Sequence, residues 1–495
     1  MRCTPVKDQT RTPLFTGLLE HIEKHPTQFH IPGHKQGNAA EPAFRSFLGD
    51  NAFKMDLINI EPLDDLHHPN SIIKEAQELA ADAFGADYTF FSVQGTSGAI
   101  MTMVMSVCSP GDKIIVPRNV HKSVTSAIIF SGAVPVFIHP ELDPILGISH
   151  GITPRAVKHA LEAHPDAKAV LVINPTYFGV AADLESIVEI AHYYEIPVLV
   201  DEAHGVHIHF HQSLPLSAMQ AGADIAATSV HKLGGSLTQS SVLNLQGNRI
   251  SHERVQTILS MLTTTSTSYL LMASLDTARK QLATMGHSQI NRAIGMANKA
   301  RKSINELQYI YCTGKEILGT EAAFSFDPTK LIISVKDLGI TGYDAEVWLR
   351  KTHNIEVELS DLYNVLCIIT PGDSEQTIEK LISALQELEK SMLPLSSKNE
   401  VKVTIPDIPL LALAPRDAFY SETELIPFSE AAGRISAESI MVYPPGIPIF
   451  IPGEIITDEN IAYIWKNIDA GLPVQGLQDE TLETIRVIKE YKAFN

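Results

Sequence analysis

Lys232 sits in Ser229-Val-His-Lys232-Leu-Gly-Gly-Ser236, after the short apolar run Asp224-Ile-Ala-Ala-Thr228 and before a turn of small residues. Ser229 and His231 flank it with donors of the kind a phosphate takes. An acid, Asp201, ends another apolar run, Val198-Leu-Val-Asp201, and opens Asp201-Glu-Ala-His204. A lysine amine near phosphate donors, with an acid on a neighbouring strand end, suits pyridoxal phosphate. The amine bonds the cofactor's aldehyde, the acid keeps its pyridine nitrogen protonated, and the donors hold its phosphate. With an ordinary pKa of about 10.4, a lysine needs desolvation or a cationic neighbour to be nucleophilic at neutral pH. The apolar run before Lys232 and the adjacent His231 are compatible with that. For these residues alone, a solvated lysine at a strand end is the alternative.

Strand ends must bring these groups together. Tyr88 to Val93 reads as a strand, Gln94-Gly95-Thr96-Ser97-Gly98-Ala99 as a turn, and the following residues through Val107 as a helix. Further strands are expected at Lys113 to Val116, Val134 to Ile138, Ala169 to Ile173, Val198 to Val200, Ile225 to Thr228 and Ser241 to Leu245, with helical patterns between most of them. This alternation predicts an α/β fold with a mainly parallel, doubly wound sheet. Ligands of such sheets sit beyond the carboxyl ends of the strands, where Thr96, Ser97, Asp201 and Lys232 all fall. That agreement favours the cofactor over the solvated lysine. Gly95-Thr-Ser-Gly98 lets backbone N–H groups and hydroxyls approach an anion at a helix start. It has neither P-loop nor dinucleotide-fold spacing, so a single phosphate is the better reading, with an ordinary strand-to-helix turn as the alternative.

The rest of the chain frames that domain. Residues 1–50 form an N-terminal arm with a helix-like patch from Leu14 to Ile22 and the turn His30-Ile-Pro-Gly-His-Lys35, a surface loop or a lid or dimer arm. Residues 51–285 are the large cofactor domain, which includes an amphipathic helix from Ile72 to Phe84 stopped by Gly85. A long helical pattern runs from Asp276 to about Tyr309 and leads into a small α+β domain at 286–395. Its elements are strands at Lys330 to Val335 and Ile355 to Leu359 and helices at Asp344 to Lys351 and Thr377 to Lys390. After a polar linker, Pro394 to Asn399, a C-terminal domain occupies 400–495, with Tyr443-Pro-Pro-Gly-Ile-Pro-Ile-Phe-Ile-Pro-Gly-Glu454 expected as a packed loop.

With 495 residues the chain can hold two to four domains. Its net charge of −19 argues against nucleic acid and against an anionic membrane surface. The cysteines, Cys3, Cys108, Cys312 and Cys367, form no CxxC pair and read as reduced thiols. Without a signal-peptide core or an apolar run of membrane-spanning length, a soluble cytoplasmic protein is expected.

Two other motifs compete. Asp201-Glu-Ala-His204 has the letters of a helicase DEAH box, but no Walker A loop precedes it and the acidic charge opposes it. His207, His209 and His211 would share one face of an extended strand, where a metal is conceivable. Surface histidines are the commoner outcome of such a pattern, and no metal is expected.

Taken in order, the motifs resemble the prokaryotic ornithine/lysine/arginine decarboxylases, fold type I pyridoxal-phosphate enzymes. They are His30-Ile-Pro-Gly-His-Lys35, Leu63-Asp-Asp-Leu-His67, Gly95-Thr-Ser-Gly98, Arg118-Asn-Val-His-Lys-Ser123, Asn174-Pro-Thr-Tyr177, Asp201-Glu-Ala-His204, Ser229-Val-His-Lys232, Thr263-Thr-Thr-Ser266 and Tyr443-Pro-Pro-Gly446. The chain looks most similar to the short biosynthetic arginine decarboxylases of Bacillus-like bacteria; it has no counterpart of the wing domain of larger members, so their decamer is not implied. The resemblance implies that Lys232 bonds the cofactor, Asp201 pairs with the pyridine nitrogen, His121 stacks on one ring face and Ala203 packs the other. It places Thr96, Ser97, Ser229 and His231 at the phosphate and His204 near the ring oxygen or substrate carboxylate. Thr265 and Ser266 would reach a neighbouring subunit's phosphate in a homo-oligomer, at least a dimer; Thr267 stands where many relatives have proline.

The implied reaction is decarboxylation of L-arginine to agmatine and carbon dioxide, feeding polyamine synthesis. Lysine or ornithine as substrate is the alternative, and another fold type I activity such as an aminotransferase ranks lower. A guanidinium takes a bidentate carboxylate. Glu61, Asp64, Asp65, Glu356, Glu358 and Asp361 are the candidates, each of which could equally be a helix cap or a solvated charge.

Overall fold

The structure, a computed structural model, describes residues 7–392, 406–442, 446–469 and 472–489. Cys3, the linker Pro394 to Asn399 and the Tyr443-Pro-Pro stretch lie outside the described residues. In chain order, helices α1 (Pro13–Glu23), α2 (Pro42–Leu48), α3 (Asp50–Met55) and α4 (Ile72–Phe84) precede strand β1 (Tyr88–Ser92). There follow α5 (Gly95–Val107), β2 (Lys113–Pro117), α6 (Lys122–Ser131), β3 (Val134–Ile138), α7 (Pro154–Ala163), β4 (Ala169–Ile173), β5 (Val180–Ala181) and α8 (Leu184–Tyr193). Next come β6 (Val198–Asp201), β7 (Ile225–Thr228), the single-turn α9 (Val230–Leu233), β8 (Ser241–Leu245), α10 (His252–Leu262) and α11 (Tyr269–Ile304).

The chain divides into two compact units. The first joins Met1–Val107 to Glu195–Ile290. Its strands β6 and β7 pair in parallel, while β8 runs antiparallel to both β7 and β1. All residues of β6, β7 and β8 are buried, which is why these segments read as largely apolar runs. On α4, Ile73, Ala76, Leu79, Ala80 and Phe84 recur at helical spacing and are buried, and Gly85 ends the helix in the left-handed region at φ 68°. Buried Asp276 on α11 accepts from the amides of Leu14 and Phe15 at 3.0 and 3.3 Å and pairs with Arg279 at 2.6 Å. This staple caps the start of α1. α11 begins at Tyr269, earlier than the pattern from Asp276 suggests, and the Tyr269 hydroxyl donates to the Asp64 carbonyl at 2.6 Å.

The second unit joins Cys108–Tyr194 to Asn291–Asn495. Here β2 pairs in parallel with β3 and β4, so the large-domain strands are mostly parallel in an α/β arrangement. A four-stranded antiparallel sheet contains β9 (Tyr311–Cys312), β11 (Lys330–Ser334), β12 (Leu359–Ser360) and β13 (Asn364–Ile368), while β10 (Ser325–Phe326) pairs with β5. Helices α12 (Gly342–His353) and α13 (Glu375–Ser391) pack on it around Leu331, Ile333, Leu349, Val365 and Leu385. Strand β13 is absent from the sequence reading. The expected strand at Ile355 to Leu359 contracts to the β12 pair, which is antiparallel to β13.

Further on lie α14 (Pro415–Tyr420), β14 (Thr423–Pro427), β15 (Ile440–Val442), β16 (Ile447–Phe450), α15 (Asp458–Asp469), β17 (Val474–Gln475) and β18 (Thr484–Ile488). The described part of the expected packed loop therefore contains a strand, β16. Pro448 is tolerated because β16 is at the edge of its sheet, where a missing N–H need not break the ladder. No helix among the described residues is long and apolar enough to cross a membrane.

Candidate active site

Lys232 is carried by α9, which follows β7 directly, with Ser229 in extended conformation at its N-cap. Gly234 closes that turn. A side chain there would meet the Val230 carbonyl at 2.7 Å, so the small residue is required by close approach. His204 lies in the turn after β6, where the Gly205 amide donates to the Glu202 carbonyl at 2.9 Å. The two ends meet: Lys232 Nζ is 2.7 Å from His204 Nε2. Lys232 is half-buried and His204 buried.

Asp201 ends β6 and is 5% exposed. Burial pushes its carboxyl up to about 6, opposed by the Ala203 amide, which donates to it at 3.1 Å, and by the nearby Lys232 charge. Its neighbour Glu202 is also buried and is pushed up to about 7 by burial, against the Ala218 amide at 2.6 Å and the Thr228 hydroxyl at 3.0 Å. Glu202 thus ties the end of β6 to the end of β7.

A buried hydroxyl cluster forms beside these ends. Thr96, on the first turn of α5, is hydrogen-bonded to Ser229 and, at 2.8 Å, to Ser241. The loop leading into α5 is held by the Gly95 amide on the Gln239 carbonyl at 2.8 Å and by Gln239 Nε2 on the Val93 carbonyl at 2.8 Å. Gly95 has φ 68°. Ser241 was not singled out in the sequence. Only the antiparallel pairing of β8, which sets Thr228 against Val242 and Ser92 against Ser241, carries it to the ends of β7 and β1.

The other expected residues fall as follows. Ser97 is exposed at the start of α5, and Ala203 is half-buried. His231 places Nδ1 2.9 Å from the Ser240 carbonyl, so that nitrogen carries a proton. His121, in the second unit, is the N-cap of α6: Nδ1 accepts from the Ser123 amide at 3.2 Å and is 2.7 Å from the Ser123 hydroxyl. Thr265 and Ser266 are exposed between α10 and α11. His207 to His211 are not an extended strand. Ile208–Phe210 is a 3-10 turn, His209 Nδ1 is 2.9 Å from the Ser217 hydroxyl, and His211 stacks on His287 at 4.6 Å, so the shared face required for a metal is missing.

The six acidic candidates separate. Asp64 is buried and accepts from the amides of Asp65, Asn70, Ser71 and Ile73, which outweigh burial and hold its carboxyl below the usual range. Asp361 is buried on Asn364 and on the Tyr363 and Asn364 amides. Asp64 thus caps the start of α4, and Asp361 holds the turn between β12 and β13. Exposed Glu356 pairs with Arg350 at 2.7 Å. Glu61 is exposed, half-buried Asp65 accepts from the His67 amide at 3.0 Å, and exposed Glu358 accepts from the Tyr177 hydroxyl.

The donor set fits pyridoxal phosphate. Asp201 is an acid in a site too dry to ionise easily, which a pyridinium N–H would relieve. Lys232 supplies an amine with a hydrogen-bonded imidazole, and Thr96, Ser229 and Ser241 supply three hydroxyls at a helix start.

Residues 12–377 match the family model described as Orn/Lys/Arg decarboxylase, major domain, and residues 401–480 the one described as Orn/Lys/Arg decarboxylase, C-terminal domain. The arginine decarboxylase of Bacillus subtilis (strain 168) is 68% identical over 486 residues, 98% of this chain and 99% of that protein. That of Halalkalibacterium halodurans is 68% identical over 486 residues, with the same coverage of 98% and 99%. Lysine decarboxylase A from Pseudomonas aeruginosa superposes with a TM-score of 0.85 at 24% identity, over 96% of this chain and 80% of that one. The shared architecture is the fold type I arrangement. With both family models matched along the chain, it belongs to the Orn/Lys/Arg decarboxylase family.

Proposed function

We propose that this chain decarboxylates L-arginine to agmatine and carbon dioxide with pyridoxal phosphate, supplying polyamine synthesis in the cytoplasm. The observation that carries the chemistry is the 2.7 Å approach of Lys232 Nζ to His204 Nε2 beside the buried Asp201 carboxyl. The substrate reading is supported by 68% identity to arginine decarboxylases over nearly the full length. Lysine and ornithine are the alternatives within the same mechanism.

When bound, pyridoxal phosphate supplies an electron sink for the pair left at Cα as the carboxylate departs. Lys232 would hold its aldehyde carbon, Asp201 its ring nitrogen, and His121 and Ala203 its two faces. Thr96, Ser97, Ser229 and His231 would hold its phosphate, with Thr265 and Ser266 from a neighbouring subunit, so the assembly is at least a dimer. Lys232 Nζ and His204 Nε2 share a hydrogen bond at 2.7 Å, which places the imidazole to exchange a proton at that amine. Ionised Asp201 keeps a proton on the group opposite it, and its burial makes that ion pair stronger than one in water. The domain division that accompanies this reading is an arm at 1–50, the cofactor domain at 51–285, the small domain at 286–395 and the C-terminal domain at 400–495.

The test offers arginine, lysine and ornithine separately to the purified protein with added pyridoxal phosphate and identifies the amines by mass spectrometry. Agmatine as dominant product is expected. Cadaverine or putrescine in its place would overturn the substrate, and a keto acid would overturn the reaction class.

A further inference from the structure

Strand β8 lies between β1 and β7 and runs antiparallel to both, so the residues entering it arrive where those two strands end. The turn after β1 carries Gly95 and Thr96, and the turn after β7 carries Ser229 and His231. Three consecutive residues at the entry to β8 each hold one of these groups. The Gln239 carbonyl accepts from the Gly95 amide at 2.8 Å. The Ser240 carbonyl accepts from His231 Nδ1 at 2.9 Å. The Ser241 hydroxyl is 2.8 Å from that of Thr96, which is also bonded to Ser229.

Gln239 stands out among the three. Its backbone is left-handed at φ 79°, a region that a residue with a Cβ enters unfavourably, and as an exposed residue it gains little there from burial. Two bonds into the turn after β1 offset that strain. Besides its carbonyl on Gly95, its Nε2 donates to the Val93 carbonyl at 2.8 Å. A carbonyl only accepts, so the side-chain nitrogen and not the oxygen faces Val93. Backbone and side chain of one residue thus grip the turn on both sides of Gln94. Gly95, left-handed at φ 68° and without a Cβ, is otherwise the loosest point of that turn. The amides of Thr96 and Ser97 follow it on the first turn of α5, where N–H groups find no partner within the helix.

We propose that Gln239 is a positioning residue for phosphate binding: it clips the turn from Val93 to Gly95 so that the first amides of α5 and the Thr96 hydroxyl converge on one anion before it arrives. The proposal rests on the reading that these groups hold the phosphate of pyridoxal phosphate. Donors fixed in advance bind without the loss of freedom that a loose turn would suffer. Gln239 acts through the turn and not by contact with the ligand.

The test compares the full-length chain as wild type, as Gln239→Glu and as Gln239→Gly. Gln239→Glu keeps the shape, but at pH 8 its carboxylate cannot donate to the Val93 carbonyl; Gln239→Gly removes the side chain and suits the left-handed backbone. Amide exchange of the 94–97 segment is read in cofactor-free protein. Affinities are read by visible absorption for pyridoxal phosphate and for pyridoxal, which lacks the phosphate. In both variants the Gly95 amide is expected to exchange about tenfold faster and affinity for pyridoxal phosphate to fall about five- to tenfold, with affinity for pyridoxal within about twofold of wild type. A residue that only supported the fold would weaken both ligands alike. Equal losses for the two ligands, unchanged affinity for pyridoxal phosphate, or wild-type exchange at Gly95 would overturn the proposal and leave the functional reading intact. A wild-type chain that bound no pyridoxal phosphate would overturn both. Should Gln239→Glu not fold, Gln239→Gly decides by the same readouts.

Discussion

His204 Nε2 stands 2.7 Å from Lys232 Nζ although 28 residues separate them in the chain. The contact exists because β6 and β7 are parallel neighbours, so the turns after both emerge at the same edge. His204→Ala is expected to lower kcat about a hundredfold or more, the usual worth of a positioned proton acceptor, with cofactor affinity changed only a few-fold. Steady-state kinetics with arginine beside a cofactor titration checks it, and an unchanged kcat would remove His204 from the proton path.

Asp201 makes the cofactor-free chain pH-sensitive. Below about pH 4 folded and unfolded chains both hold its proton; between about 4 and 6 only the folded chain does, so stability falls as pH rises. Above that window the cost is roughly 3 kcal/mol, and Glu202, pushed up to about 7, adds a fall of the same sign. Without cofactor, Asp201→Asn should therefore melt above wild type at pH 8 and level with it at pH 4. With pyridoxal phosphate the order should reverse. Calorimetry at both pH values checks this; equal melting at pH 8 without cofactor would contradict it.

Arg118 and Glu454, both buried, pair through two parallel bonds at 2.6 and 2.7 Å, so removing Arg118 alone strands a buried carboxylate. Arg118→Met should cost about 3–5 kcal/mol, read from denaturant midpoints, with most of it recovered when Glu454→Leu is added. Equal losses in the single and double variants would show that packing, not charge, dominates there.

The acidic candidates separate into two groups by what they already hold. Asp64→Asn should destabilise by about 1–2 kcal/mol, since its carboxylate collects the amides at the start of α4. Because that carboxyl sits low, the stabilisation is present above about pH 4 and lost as pH falls through the folded value. Asp64 and Asp361 are held by backbone amides and Glu356 by Arg350, which leaves Glu61, Asp65 and Glu358 as the candidates for a guanidinium. Substitution of the true partner, as in Glu358→Gln, should raise KM for arginine far more than for ornithine; equal rises at all three positions would exclude every one of them.

The large-domain strands were legible because they are short, mostly apolar and bounded by turns; Val134–Ile138, Ala169–Ile173, Ile225–Thr228 and Ser241–Leu245 stand as read. β13 was not, since its apolar part, Val365-Leu-Cys-Ile, is too short to show a period. At Ile355 to Leu359 the opposite happened: alternation was present, but among the described residues the ladder takes in only Leu359 and the following Ser360. For the site, the strand ends bearing Asp201 and Lys232 were visible, whereas Ser241 and Gln239 depend on strand order and on contacts 145 and 146 residues long. Such pairings leave no local pattern.

Borohydride reduction of the protein loaded with pyridoxal phosphate, followed by peptide mapping, asks whether Lys232 is the amine that holds the cofactor. The reduced pyridoxal-phosphate mass is expected on the peptide containing Lys232, with its loss, and the loss of agmatine formation from arginine, in Lys232→Ala. The adduct on another lysine, or agmatine formed by the Lys232→Ala protein at the wild-type rate, would contradict the assignment of this centre.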